Sequence, residues 1–368
     1  MNILIAPNAF KGSLSALEVA DIIQCNLLKI NPDLNCTSLP IADGGDGTFD
    51  VLRNHYRGQT HTITTSDLLD RKIQAPLFIS ENGTAIIELT HVAGLSILKP
   101  SEYSPLFTHT FGVGDMIRHA LDRNCTKIIL AIGGSGTLDM GFGALRALGF
   151  RFLDKHGDVV SGGGGNLKAI SEIDSKNFDT RLLQVDFQIA CDVDNPLLGE
   201  FGAANVFGRQ KGANSEEIRQ LIENHQHFAQ LLESQSHINL SSIRHGGAAG
   251  GIAAGLYALC GAQLLSGSKL VFDCLGMDEA IEKCDVLITG EGRIDSQSSF
   301  GKAPYALAKK AKQMGKRVIA FCGSTENIIQ SPFDSVISIK KEAQNLNEAI
   351  KYAKNNLRDA VLDNANFL

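Results

Sequence analysis

The sequence predicts an α/β protein whose strands run largely parallel and fill more than one sheet, and three observations carry that reading. Short β-rich runs end repeatedly in glycine or aspartate clusters, and a helical pattern follows them. Seven runs have the make-up of buried strands: Asn2 to Ala6, Thr84 to Leu89, Lys127 to Ile132, Phe187 to Cys191, Val286 to Thr289, Val318 to Cys322 and Val336 to Ile339. The last three share the character of the first, so both ends of the chain are expected to build one sheet around an inserted middle domain. The expected division is 1–65 with 285–368 against 66–284.

The helices follow from caps and spacing. Ser15 precedes Glu18 by three residues, a capping box, and Val19, Ile22, Ile23, Leu27 and Ile30 recur at helical intervals behind it. A second helix starts near Asn214, with Glu217 completing the cap and Ile218, Leu221, Ile222, Leu231 and Leu232 as the apolar stripe. The uncharged stretch from Gly246 to Ser268 is mostly glycine and alanine and carries Gln263. It reads as a tightly packed internal helix, too weakly hydrophobic for a bilayer span. Ser161 to Asn166, "SGGGGN", reads as a flexible surface loop or hinge after a hairpin at His156, Gly157 and Asp158.

Composition narrows the function. With 40 acidic against 34 basic residues the net charge is −6, which argues against a nucleic-acid or anionic-membrane surface and favours small ligands. Eight cysteines show no CxxC or zinc spacing and read as reduced core residues. "MNILIAP" has no basic flank and no A-x-A site, so a cytoplasmic protein is expected.

In open parallel sheets ligands gather where strands end, because loops converge there and helix N-termini offer N–H groups. Five such loops carry chemistry. "PNAFKGSLSA" sets Lys11 beside Ser13 at a helix start, a combination that suits phosphate or carboxylate and also suits a solvated lysine. "PIADGGDGT" sets Asp43 and Asp46 around Gly44 and Gly45; the carboxylates can hold a hydroxyl or Mg²⁺, or simply start a helix. "AIGGSGTLDMG" brings Ser135 and Thr137 on a glycine turn. It lacks the lysine of a P-loop, and Asp139 stands where a dinucleotide motif needs its third glycine. "ACDVDNPLLG" offers the best carboxylate pair, Asp192 and Asp194, as Mg²⁺ ligand or proton acceptor, with an Asx turn before Pro196 as the plain alternative. "ITGEGRIDSQSSFGKAP" packs Glu291, Arg293, Asp295 and Lys302 into one segment.

Together and in this order the loops resemble the bacterial glycerate kinase family, type I glycerate 2-kinases, over nearly the whole chain. The motifs that carry the resemblance are "APNAFKGSLSA", "PIADGGDGT", "GGSGTLD", "CDVDNPLLG", "FGRQKGA", "HGGAAGGIAAGLYALCGAQLLSG" and "ITGEGRIDSQSSFGKAP". The resemblance implies a Rossmann- or flavodoxin-like domain made by both chain ends plus an inserted α/β domain, with the site in the cleft. It also implies ATP- and Mg²⁺-dependent phosphorylation of D-glycerate, usually to 2-phosphoglycerate. Asn8 and Ala9 stand where Asp-Ser is common, Leu138 where Asn is, and Arg209 where Pro is. A kinase for another small hydroxy acid, or a non-catalytic small-acid binder, are the alternatives.

Phosphoryl transfer needs an in-line hydroxyl, neutralised phosphate charge and a carboxylate near the attacking proton. On that basis Asp192 or Asp295 receives the proton, and the other, or Asp194, helps hold Mg²⁺. Lys11 and Arg293 counter phosphate charge, Arg293 and Asp43 meet glycerate, and Ser13, Gly44, Gly45, Ser135, Thr137 and Lys302 complete the expected binding set.

Overall fold

The computed structural model describes residues 1–294, 302–325, 331–341 and 343–364. Its strands are β1 (Asn2–Ile5), β2 (Asn35–Ser38), β3 (Gly58–Ser66), β4 (Lys72–Ser80), β5 (Thr84–Glu88), β6 (Lys127–Ala131) and β7 (Arg151–Leu153). They continue with β8 (Glu172–Asp174), β9 (Asp186–Cys191), β10 (Gln263–Ser266), β11 (Val286–Ile294), β12 (Arg317–Thr325) and β13 (Ser335–Ser338). All seven sequence-predicted strands are present among them.

The chain forms two compact units: Met1–Asp43, Asp50–His55 and Ser268–Leu368 in the first, Gly44–Phe49 and Tyr56–Gly267 in the second. These limits differ from 65/66 and 284/285 for a clear reason. β3 pairs antiparallel with β4 along its full length and so belongs to the second sheet. The helices Gly267–Leu275 and Met277–Lys283 come after that sheet's last strand, β10.

The first unit holds a five-stranded sheet in the order β13-β12-β11-β1-β2, parallel throughout. Ile3 sits opposite Val286 and Ile5 opposite Ile288, so the opening strand and the closing third of the chain share one sheet. The helix Ala16–Ile30 has the predicted capping box: Ser15 Oγ accepts from Glu18 N at 3.2 Å and Glu18 Oε2 accepts from Ser15 N at 2.8 Å. Such a cap is worth about 1 kcal/mol, and the Ser15 amide holds the Glu18 carboxyl below its usual range. Val19, Ile23 and Leu27 fill the core with Ile288, Ile319 and Phe321, while Ile30, expected on that face, is exposed as the last residue of the helix.

The second unit holds a six-stranded sheet, β10-β9-β6-β5-β4-β3, in which β5, β6, β9 and β10 are parallel and β3 and β4 antiparallel. Phe142, Phe152 and Phe228 meet edge to face at 4.9 and 6.1 Å in its core. The helix Ser215–Ser236 starts at Asn214, whose side chain accepts from Glu216 N and Glu217 N. Leu221 and Leu232 of the predicted stripe are fully buried.

Two expectations are corrected. The glycine run is no hinge: a Cβ at Gly163 would lie 2.5 Å from Thr108 O, and one at Gly164 2.3 Å from Leu138 O. Asn224 Nδ2 also donates to the carbonyls of Gly164 and Gly165, both at 2.9 Å. These glycines let backbones touch. The stretch from Gly246 to Ser268 is not one helix either. It contains a 3₁₀ turn, the helix Ile252–Cys260 ended by left-handed Gly261, and then β10.

All eight cysteines are free, five of them buried, and burial pushes the thiols of Cys191 and Cys260 up. Among the described residues no helix is long and apolar enough to cross a membrane.

Candidate functional site

In the second unit three parallel strands end side by side: β5 at Glu88, β6 ahead of Gly133, and β9 ahead of Asp192. The loop Gly44–Gly47 lies against these ends, with Gly133 N donating to Gly44 O at 3.0 Å. A Cβ at Gly133 would meet Gly45 Cα at 2.4 Å and Asp192 Oδ2 at 3.0 Å. One at Gly134, which has φ 72°, would meet Asp46 Oδ1 at 2.6 Å. Two exposed carboxylates, Asp46 and Asp192, thus rest against consecutive glycines.

The backbone of this turn is partly committed. Gly134 O accepts from Leu95 N at 2.9 Å, and Gly136 N donates to Ala93 O at 2.8 Å. The N–H groups of Gly134 and Ser135 have no partner among the described residues. Successive unpaired N–H groups in a turn form a concavity that suits an anion.

Buried polar groups tie down the turn and the segments next to it. Glu88, 4% exposed, accepts from Gly47 N at 3.2 Å, Phe49 N at 2.8 Å and Thr90 Oγ1 at 2.6 Å. Asp139, fully buried, accepts from Thr110 N and Thr110 Oγ1, both at 2.8 Å, Gly143 N at 3.0 Å and Gly141 N at 3.2 Å. Lys211 Nζ donates to Ser135 Oγ at 2.7 Å and Thr137 O at 2.8 Å. Burial pushes the Lys211 pKa down to about 7, against the pull of Asp139 and Asp192. His225 Nε2 donates to Leu138 O at 2.8 Å, and burial takes its pKa down to about 4. His227 instead reaches Ile170 O, so the two histidines serve different carbonyls and share no site.

The structure brings Gly44, Gly45, Ser135 and Asp192 of the expected set together. Thr137 belongs to the same turn, but its Oγ1 is buried without a partner among the described residues. Asp194 is engaged by other partners. Arg244 Nε and Nη2 donate to its two oxygens at 3.1 and 2.9 Å, His245 Nδ1 lies at 3.0 Å, and the pairing holds its carboxyl below the usual range.

The remaining predicted residues lie in the first unit. Lys11 is exposed on a loop packed on the end of β11, where a Cβ at Gly292 would lie 3.2 Å from Lys11 N. Ser13 Oγ donates to Phe10 O at 2.9 Å, and Asp43 is half-buried. Lys302 Nζ stands 3.1 Å from Glu291 Oε2 and 3.3 Å from Arg293 O, so the Lys11 loop, Glu291, Arg293 and Lys302 cluster at the end of β11. Asp295 lies outside the described residues.

Sequence reasoning missed Glu88, Asp139 and Lys211 as site-builders. A charged residue ending the apolar run "TAIIE" was a usable signal for Glu88, and Asp139 drew notice only as a missing glycine. Lys211, in "RQKGA", has the look of any surface lysine.

The arrangement offers N–H donors for an anion, two carboxylates beside them and, in the first unit, a basic cluster. The model of the glycerate kinase family matches residues 3–368. "Glycerate kinase" of Halalkalibacterium halodurans is 39% identical over 363 residues, 97% of this chain and 96% of that protein. "Glycerate 2-kinase" of Escherichia coli is 39% identical over 362 residues, 97% of this chain and 95% of that protein. A Salmonella typhimurium crystal structure whose name proposes a glycerate kinase 2 superposes with a TM-score of 0.89 at 39% identity, covering 100% of this chain and 98% of that one. The chain belongs to the glycerate kinase family.

Proposed function

We propose that the protein transfers the γ-phosphoryl group of ATP to the 2-hydroxyl of D-glycerate. The observation that carries this reading is the pair Asp46 and Asp192 resting against a glycine turn with unpaired N–H groups. Family membership and the names of the relatives support the reaction class and substrate.

The protein's work in such a transfer is positioning and charge. Asp192, exposed at the end of β9, takes the hydroxyl proton; Asp295 is the alternative the sequence offers. The N–H groups of Gly134 and Ser135 receive an anionic oxygen. Lys11, Arg293 and Lys302 balance phosphate charge, and Asp43 meets a glycerate hydroxyl.

Mg²⁺ binds through one or two carboxylates plus phosphate oxygens and water. Asp46 fits that donor set, being exposed and beside the anion-accepting turn, whereas Arg244 already engages both oxygens of Asp194. Bound there, the ion supplies charge neutralisation on the phosphate oxygens. Use of ATP agrees with a cytoplasmic protein.

The test is incubation with ATP, Mg²⁺ and D-glycerate, with the product identified by phosphorus NMR. 2-Phosphoglycerate is expected; no phosphoglycerate, with another hydroxy acid consumed instead, overturns the substrate. Asp192→Asn is expected to lower kcat by about 10²–10⁴ with the fold kept, and near-normal turnover removes Asp192 as proton acceptor.

A further inference from the structure

The hydroxyl of Ser135 is held in one orientation from inside the protein. Lys211 Nζ lies 2.7 Å from Ser135 Oγ and 2.8 Å from Thr137 O. A lysine nitrogen carries three N–H groups when charged and two when neutral. Donation to both oxygens therefore satisfies the neutral amine completely and two N–H groups of the ammonium. The reverse arrangement, Ser135 donating to a neutral amine, leaves a buried N–H without an acceptor, which is costly at a residue 3% exposed.

Ser135 Oγ is thus the acceptor, and its own proton has to point elsewhere. It has no acceptor among the described residues. The N–H groups of Gly134 and Ser135 are also unpaired, and Gly134 is exposed. Three donors of one turn therefore await an oxygen. Lys211 has no such freedom, because it approaches the turn from the buried side.

We propose that Lys211 is a positioning residue which, by donating to Ser135 Oγ, turns the Ser135 O–H toward an anionic oxygen of the bound ligand. It rests on the reading of Gly133–Thr137 as a ligand-contacting turn. The oxygen belongs to a phosphate of the nucleotide or to the carboxylate of the acid, and separate KM values for ATP and D-glycerate tell these sources apart. The charged and titratable groups acting on Lys211 are Asp139, Asp192 and His225.

The experiment compares Ser135→Ala, Lys211→Met, Lys211→Arg and the Ser135→Ala/Lys211→Met double variant by steady-state kinetics. Each of the first two is expected to raise KM for one substrate about tenfold, the worth of one hydrogen bond, with a smaller fall in kcat. The double variant is expected to be no worse than the weaker single one, since Lys211 acts through Ser135. Lys211→Arg, which keeps N–H donors, is expected to regain most of the loss. Multiplying losses in the double variant, or unchanged KM values in Ser135→Ala, overturn the proposal. Where Lys211→Met shows no cooperative unfolding, Ser135→Ala alone decides, because it removes a single oxygen. If the wild type fails to phosphorylate D-glycerate, calorimetric ATP binding by the same variants still reads the hydroxyl, and that failure concerns the activity alone.

Discussion

Glu88 Oε2 accepts the amide of Phe49 at 2.8 Å while its Oε1 takes that of Gly47 at 3.2 Å. One buried carboxylate at the end of β5 therefore ties down the loop that carries Gly44, Gly45 and Asp46. Glu88→Gln preserves the shape but replaces one acceptor by an NH₂ group, leaving a buried N–H unmatched at about 1–3 kcal/mol. Urea denaturation is expected to show that loss, and turnover is expected to fall by at least tenfold as Asp46 loses its register.

Gly133 is expected to tolerate no side chain. Alanine there would place a carbon 2.4 Å from Gly45 Cα, so two loops must separate. Gly157 makes the control: unlike Gly133 it has a positive φ, 87°, and nothing lies within 4 Å of a Cβ. Gly157→Ala is expected to cost about 1–2 kcal/mol of backbone strain with kinetics unchanged. Gly133→Ala is expected to remove most turnover. Equal kinetic effects of the two would show that crowding at Gly133 is not what matters.

Asp139, just after that turn in the chain, binds Thr110, Gly141 and Gly143 from the core with four hydrogen bonds. Asp139→Asn turns a donor toward groups that themselves donate, and Asp139→Ala leaves them unsatisfied. Both variants are expected to lose about 3 kcal/mol or more, since hydrogen bonds to a buried charge are the strong ones. A melting temperature within one degree of the wild type would contradict this.

Two buried bases make stability depend on pH. His225 titrates near 6.5 when exposed and near 4 when folded, so the unfolded chain binds the extra proton between those values. Stability therefore falls as pH drops from about 6.5 to about 4, on the order of 3 kcal/mol in all. His225→Gln, which keeps a donor for Leu138 O, is expected to flatten that slope in denaturation curves taken at several pH values. Lys211 acts the same way higher up. Its folded pKa of about 7 lies below the ordinary 10.5, so stability rises as pH climbs between the two, and Lys211→Met is expected to lack that rise. Parallel slopes in variant and wild type would remove the assignment in either case.

Features that depend on neighbours along the chain were legible in the sequence. The Ser15 and Asn214 caps and the apolar runs of β5, β6 and β11 are local patterns, and each strand end carries its own loop chemistry. β3 was not legible, because "GQTHTITTS" is polar and mostly exposed, as befits a strand at the edge of its sheet. Gly163 and Gly164 misled for another reason: composition cannot separate glycine that gives freedom from glycine that lets backbones touch. Lys211 and Ser135 meet across 76 residues, and Glu88 and Phe49 across 39. Such partnerships exist only once the sheet has assembled, which is why the turn's glycines could be read while the groups that hold it could not.

The central place of β11 between β1 and β12 has a consequence for biosynthesis. Ile3 leaves the ribosome well before its neighbour Val286, which lies on the far side of the whole second unit in the chain. The second unit, continuous from Tyr56 to Gly267, is complete before that partner exists. Co-translational folding is therefore expected to complete the second unit first, with β1 left lacking its β11 neighbour, a temporarily unmatched edge that chaperones have reason to cover.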